Sequence, residues 1–319
     1  MLTLFTIPKP FSNNHIRVIQ ENAIRSWKLL SKKYSIVLIG NSKGIAAIAK
    51  KLQVIHIPWV ACNQYGTPLL NSAFDLARGI SKNKYLCYLN ADIILLNDFK
   101  KIFKYIPKDD FIIVGQRWDL YIDRLINYNK PDWEEILKTD LNQKGKLHQA
   151  KGKAGSDYFV FKKDSFIKIP ALTVGRVGWD NWMIYKARRE HMKVIDATSL
   201  VRVIHQNHDY LHQINKGIDK RGSKEGKRNI SLAGGERHLF NLNDCNYKLT
   251  KNGLEKKSKS PFKILKYIQD CPEVLPGKLY YWYILKPFAI IFLLIKKIIL
   301  SIINIFYKIF INLNVKPLG

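Results

Sequence analysis

The chain has 319 residues, 47% of them apolar and 12% aromatic; it is long enough for a sizeable core and too apolar for a disordered protein. Its 53 Lys and Arg against 25 Asp and Glu give a formal net charge of +28, which calls for an anionic partner: nucleic acid, anionic lipid or a phosphate-bearing substrate. Cys62, Cys87, Cys245 and Cys271 are scattered, with no CxxC pair. That argues against a zinc knuckle or a disulfide framework and for reduced thiols in a cytosolic compartment.

The first residues are strand-like and run into Pro8 and Pro10, unlike the basic start, long apolar stretch and cleavage site of a signal peptide. From there to residue 115 strand and helix alternate. Short apolar runs predict strands at 2–7, 35–39, 54–57, 85–89 and 111–114. Ile16, Ile19, Ala23, Trp27 and Leu30 share one face of a helix opened by Ser12 or Asn13 as N-cap. Further helices are expected at 43–52, at 68–80 with Pro68 in the first turn, and, shorter, at 98–105. The alternation predicts an α/β protein with a mostly parallel central sheet and right-handed crossovers. Ligands collect at the carboxyl ends of such strands. Here these are the stretch from Thr6 through Pro8 to Lys9, Gly40-Asn41-Ser42, the loop near 58–68, and Asn90-Ala91-Asp92.

Past residue 115 the pattern loosens. Gly115-Gln116-Arg117-Trp118-Asp119 follows the fifth strand, a helix is expected at 132–144, and Gly155-Ser156-Asp157 precedes a strand at 158–161. Gly178-Trp179-Asp180-Asn181-Trp182 opens a helix reaching about residue 190. Short strands are expected at 194–196 and 200–204, the second followed by His205-Gln206-Asn207-His208-Asp209-Tyr210. Residues 216–228 read as a Gly- and Lys/Arg-rich loop. Lysines crowd 248–266 with only Glu255 as counter-charge, and the most apolar stretch, 279–313, comes next. Its uncharged runs are shorter than the roughly 20 residues a spanning helix needs. Lys297, Ser301, Asn304, Lys308 and Asn312 form one polar stripe at helical spacing, so an amphipathic helix lying in the membrane interface is expected. A tilted span with snorkelling lysines is one alternative; a helix buried in the protein's own core or a dimer interface is another.

Asp92 ends a buried strand, where a carboxylate can carry a divalent metal and the metal a diphosphate; Mg²⁺ and Mn²⁺ favour carboxylate oxygens. On its own the tripeptide is equally a turn or a helix cap. Asp180, at a helix start, is either an N-cap or a general base. His205 and His208 are candidates for contact with metal or diphosphate. Asp157, after Gly155-Ser156, is a tight-turn residue or a hydrogen-bond acceptor for a bound ligand. Arg117 is suited to neutralising an anionic leaving group, with Trp118 and Asp119 lining the same cleft.

Taken together these motifs resemble the GT-A fold of nucleotide-sugar-dependent glycosyltransferases, in which a short acidic motif behind the fourth strand binds the donor's metal–diphosphate. Asn63-Gln64-Tyr65-Gly66, with Asn71 and Ala77-Arg78-Gly79 on the next helix, is similar to the Asn-x-Gly…Ala-x-Gly signature of the large family-2 group. The resemblance covers about residues 2–245. One position departs from it: Asn90 stands where the metal motif usually has its first Asp, leaving Asp92 as the motif's single carboxylate.

The resemblance implies a Rossmann-like GT-A domain with a donor half (1–115) and an acceptor-binding, catalytic half (116–250). A basic linker (251–278) and the amphipathic membrane-associating helix (279–313) would follow. It implies donor contacts from Thr6, Pro8, Asn41, Gly66, Asn71, Asn90, Ala91, Asp92, Arg117 and Asp157, and Mn²⁺ or Mg²⁺ held by Asp92 with His205 or His208. Asp180 would be the base of an inverting transfer, with Trp179 and Trp182 offering faces for sugar stacking. The expected activity is transfer of a sugar from a nucleotide donor to a hydroxyl of a lipid-linked surface glycan, at the inner face of the cell membrane. No nucleic acid partner is expected, because no helix-turn-helix, RNP or zinc signature occurs. The alternative is a non-catalytic basic protein, binding membrane surface or nucleic acid, on a degenerate fold of the same kind.

Overall fold

The computed structural model describes residues 1–148, 155–208, 222–258, 261–275 and 279–314, in two units, Met1–Lys257 and Ser258–Gly319. In the first unit, β1 (Leu2–Thr6), β2 (Ser35–Ile39), β3 (Ile55–Ile57), β4 (Tyr85–Leu89) and β6 (Phe111–Val114) form on the apolar runs, with β5 (Ile93–Leu95) immediately behind β4. β7 (Arg117–Leu120), β8 (Lys146–Leu147), β9 (Tyr158–Lys162), β10 (Lys193–Asp196), β11 (Val203–Gln206), β12 (Tyr247–Thr250) and β13 (Gly253–Lys256) follow. The helices are α1 (Asn14–Leu30), α2 (Ile45–Leu52), α3 (Leu70–Ile80), α4 (Trp133–Lys144), α5 (Trp179–Arg189) and α6 (Lys224–Leu232).

The main sheet has the order β13-β12-β10-β6-β9-β4-β1-β2-β3. Every strand in it but β9 and β13 runs in one direction. The antiparallel β9 matters for the site. Tyr158 pairs with Leu89, so the residue before β9 lands beside the residue after β4. A smaller sheet, β5-β11-β7-β8, aligns His205 with Asp119 across the parallel β7–β11 pair.

Helix α1 joins the two sheets. Asn13 caps it, accepting from the Ile16 amide at 3.0 Å, and its apolar face enters a core with Leu4, Leu38 and Phe99. A second set of buried contacts made by α1 is polar. Trp27 Nε1 donates to the Ile93 carbonyl at 2.7 Å, and Asn22 donates to Gln206 Oε1 at 3.1 Å. Gln206 in turn donates to the carbonyls of Ile19 and Asp92. The segment that carries Asp92 is thus pinned from behind. Trp27→Phe is expected to cost about 1–3 kcal/mol, because it leaves the buried Ile93 carbonyl unsatisfied; urea denaturation measures it, and a loss under about 0.5 kcal/mol would rule out this anchor.

Several sequence-based expectations are corrected. Pro68 lies outside α3, in an isolated bridge to Cys62, and Leu69 is the N-cap. The helix expected at 98–105 is a 3-10 helix, Asn97–Lys104. Of the loop expected at 216–228, residues 216–221 lie outside the described residues, as do Asp209 and Tyr210; from Lys224 onward the chain is helical. Residues 251–278 are not a linker throughout. β13 closes the main sheet against β12, Lys257 pairs with Asp196 at 2.7 Å, and Lys248 pairs with Glu255 at 2.8 Å. Part of the basic run is therefore spent on local ion pairs.

In the second unit α7 (Pro261–Gln269) and α8 (Cys271–Val274) precede α9 (Leu279–Asn314), which contains Pro287. On α9 Phe288, Ile291, Leu294, Ile298 and Phe306 are exposed. Ser301 and Asn304 of the expected polar stripe are exposed too, whereas the side chains of Lys297, Lys308 and Asn312 lie outside the described ones. Among the described residues no helix is long and apolar enough to cross a membrane.

Candidate active site

Asp92, His205 and His208 converge at the carboxyl end of β4. One ligand atom from each lies within 4.8 Å of the others. His208 Nε2 stands 3.1 Å from Asp92 Oδ2, and His205 Nε2 stands 3.8 Å from the same oxygen. The histidines do not both follow a strand, as expected: β11 runs from Val203 to Gln206, so His205 is inside it. Pairing with β7 fixes that imidazole, whose Nδ1 stands 3.1 Å from Asp119 Oδ1. Asp119 Oδ2 is 2.6 Å from His148 Nδ1, and Arg117 Nε donates to Asp119 Oδ1 at 3.0 Å.

Arg117 also donates to Asp157 Oδ2 at 2.8 Å, and Asn90 Nδ2 donates to Asp157 Oδ1 at 2.6 Å. The antiparallel β9 produces this contact, since it sets the Asp157 carbonyl 3.0 Å from the Asn90 amide. The Asn for Asp departure at position 90 thereby has a local reason. An amide there can donate to Asp157, where a carboxylate would repel it. Arg117 is committed to two carboxylates, so in this state it orients them.

The electrostatics separate the carboxylates into two kinds. Burial works to raise Asp92, but His205, the hydrogen bond with His208 and the Lys9 ammonium hold it well below the usual carboxylate range. Asp119 behaves likewise: burial is outweighed by His148, His205 and Arg117. Asp180 goes the other way. Burial pushes it up to about 6, and Asp157 adds to the rise against the Asn181 backbone amide. Asp180 is not an N-cap: that place belongs to Gly178, at φ +99, a left-handed conformation that glycine adopts without a Cβ clash. Asp180 sits in the first turn of α5 and keeps partial access to solvent. Trp179 and Trp182, expected as stacking faces, are buried; Trp179 packs edge-on against Tyr88 at 5.1 Å.

The remaining expected donor residues are dispersed. Thr6, Pro8 and Ala91 are buried, and Lys9 is the partly exposed side chain beyond β1. Asn41 is exposed behind β2. Gly66 makes a turn at φ +75, held by Asn63, whose side chain accepts from the Tyr65 and Thr67 amides and donates to Glu225 of α6 at 2.6 Å. Asn71 lines a groove of about 780 Å³ with His56, Trp59 and Asp75. Among the described residues no hydrogen bond joins Asn41, Gly66 or Asn71 to the Asp92 cluster. Lys9 and Gln206 lay in stretches named from sequence but were given no role of their own, and His148 was not named. Asp119 was placed only in the cleft; its spacing of two from Arg117 on a strand, which puts both on one face, was the available signal for the pair.

The cluster suits a divalent cation. Asp92 Oδ1 is buried and has no hydrogen-bond partner, a condition that buried polar atoms rarely sustain unless a ligand completes them. One carboxylate and two imidazoles fit Mn²⁺ better than Mg²⁺, which prefers all-oxygen surroundings. Asp119, 3.1 Å from His205 Nδ1, stands where an outer carboxylate would orient a ligating imidazole.

The fold and the cluster together make a mostly parallel α/β sheet with a carboxylate–imidazole group at its strand ends. No family model and no curated protein matches the chain. Solved structures do. A mannosyltransferase from Pyrobaculum calidifontis, in complex with GDP-Man and Mn²⁺, is 10% identical, with TM-score 0.40 over 66% of this chain and 57% of that one. This chain thus spans little more than half of that enzyme's length. Glucosyl-3-phosphoglycerate synthase from Mycobacterium tuberculosis, in complex with Mg²⁺ and UDP, is 10% identical, with TM-score 0.43 over 74% of this chain and 80% of that one. Function is read from the site's own residues.

Proposed function

We propose that this protein transfers a glycosyl group from a nucleoside-diphosphate sugar to a hydroxyl acceptor with inversion. The observation that carries the reading is the pairing of a cation site at the carboxyl end of β4 with a carboxylate held near pH 6 at the start of α5. Asp92, His205 and His208 would hold the divalent ion, whose chemistry when bound is to neutralise charge on the departing diphosphate. Asp180 is the base. It takes the proton from the acceptor hydroxyl as that oxygen bonds to the anomeric carbon and the bond from that carbon to the diphosphate oxygen breaks. A pKa close to the working pH favours this role, whereas the strongly ionised Asp92 and Asp119 are suited to holding cations. Asp157, fixed by Asn90 and Arg117, would accept hydrogen bonds from donor hydroxyls.

Binding of UDP- and GDP-sugars with and without Mn²⁺, followed by donor turnover, tests the reading. Mn²⁺-dependent nucleotide binding is expected, and no nucleotide binding under either condition would overturn it. Anomeric analysis of one product decides inversion.

The acceptor we favour is a lipid-linked surface glycan, with the protein peripheral on the inner face of the membrane. The exposed apolar side chains of α9 and the lysines of 248–266 other than the ion-paired Lys248 and Lys257 support this. Because β13 and Lys257 belong to the first unit, a truncation has to begin at Ser258 to spare the sheet. Chain 1–257 is expected to move to the soluble fraction and to keep transfer to a short soluble acceptor. Loss of both together would make the second unit part of the active fold.

A further inference from the structure

Lys9 lies just past the carboxyl end of β1, and the chemistry above leaves it without a task. Its backbone is clamped at two points by a buried glutamine. The Lys9 amide donates to Gln20 Oε1 at 2.7 Å, and Gln20 Nε2 donates to the Lys9 carbonyl at 3.0 Å; Gln20 is 2% exposed. From that fixed base the ammonium reaches to 3.1 Å from His208 Nε2. The same nitrogen faces Asp92 Oδ2 at 3.1 Å. An imidazole nitrogen has one lone pair or one proton, so while it accepts from the ammonium it can neither donate to Asp92 nor bind a metal at about 2.1 Å.

We propose that Lys9 is an internal cation of this site: its ammonium occupies His208 Nε2 beside Asp92 until a divalent ion claims that nitrogen, and then turns to the diphosphate oxygens of the nucleotide. The exchange keeps a positive charge against Asp92 in both states, so the carboxylate is never buried uncompensated. Once displaced, the ammonium stays beside the metal because Gln20 holds the backbone, and a lysine there serves phosphate as a compact point charge. The second half of the proposal rests on the glycosyl-transfer reading; the first half does not.

Lys9→Gln tests the exchange without any turnover. Electron paramagnetic resonance of free Mn²⁺, in the absence of nucleotide, is expected to show about tenfold tighter Mn²⁺ binding than in the wild type, since the competing charge is gone. UDP or GDP affinity at saturating Mn²⁺ is expected to fall about tenfold. Lys9→Arg retains the charge, is expected to stay near the wild type in Mn²⁺ affinity, and replaces the glutamine variant as the comparison with Lys9→Ala should Lys9→Gln unfold. Mn²⁺ affinity equal to or weaker than the wild type in the neutral variants would overturn the exchange. Tighter Mn²⁺ with unchanged nucleotide affinity would overturn the diphosphate contact. If neither wild type nor variants bind nucleotide but the Mn²⁺ difference remains, the exchange stands and the glycosyl-transfer reading fails.

Discussion

Asp180→Asn is expected to lower kcat by about 10²–10⁴-fold, the range general-base catalysis supplies, while donor and Mn²⁺ affinities stay within about twofold of the wild type. Asparagine keeps the size of the side chain but cannot take the acceptor's proton. The wild type has a matching pH dependence. Asp180 titrates at about 6 in the folded protein, so kcat/KM is expected to fall as pH drops through about 6, as the base becomes protonated. The same shift has a consequence for stability. The carboxyl's ordinary value is 3.8, so between that pH and about 6 the folded chain binds more protons than the unfolded one. Stability from this group therefore rises as pH falls through that window, and above it the folded state carries the cost of a buried charge. One pKa unit corresponds to about 1.4 kcal/mol. Asp180→Asn should be more stable than the wild type at pH 7.5, by less than the roughly 3 kcal/mol of a fully buried carboxylate because Asp180 keeps partial access to solvent, with the advantage gone near pH 4. Retained turnover would remove Asp180 from the base role. Lost turnover with an unchanged denaturation midpoint at pH 7.5 would show that burial does not set its pKa.

Mn²⁺ affinity is expected to fall in a graded order across three substitutions. Asp92→Asn and His208→Ala each remove a ligand atom, and a loss beyond about 100-fold is expected; Asp119→Asn removes the carboxylate behind His205 and is expected to cost about 10–100-fold. Free-Mn²⁺ resonance measures all three without substrate. Asp92→Asn with wild-type affinity would place the metal elsewhere. An Asp119→Asn protein with unchanged affinity would reduce Asp119 to a structural partner of Arg117 and His148.

The positions of the strands along the chain were legible because each buried parallel strand is a short apolar run. β2, β4 and β6 fall on their expected residues, and the end of β4 led directly to Asp92. β11 was misplaced for a physical reason. Leu200 and Val201 are buried by turns onto Ala197, so they mimic a strand start, while the strand itself ends in His205 and Gln206. Both are polar and almost fully buried, a combination that hydropathy cannot see. The same blindness hid Lys9 and His148. Each acts through a partner far along the chain, His208 and Asp119, and leaves no periodicity behind. The tryptophans beside Asp180 misled in the opposite sense: local sequence gives composition, but Tyr88 and Phe159, brought in by β4 and β9, bury Trp179.

By itself the sequence determined the alternating architecture, the strand end that carries Asp92 and the helix start that carries Asp180, because apolar periodicity and strand-end polarity are local properties. Only the tertiary structure decided how those pieces act together. The reversed β9 sets Asp157 against Asn90, the small sheet registers His205 with Asp119, and Gln20 steadies the lysine at the cation site. Each of these is a contact between residues many positions apart, fixed by strand pairing and burial.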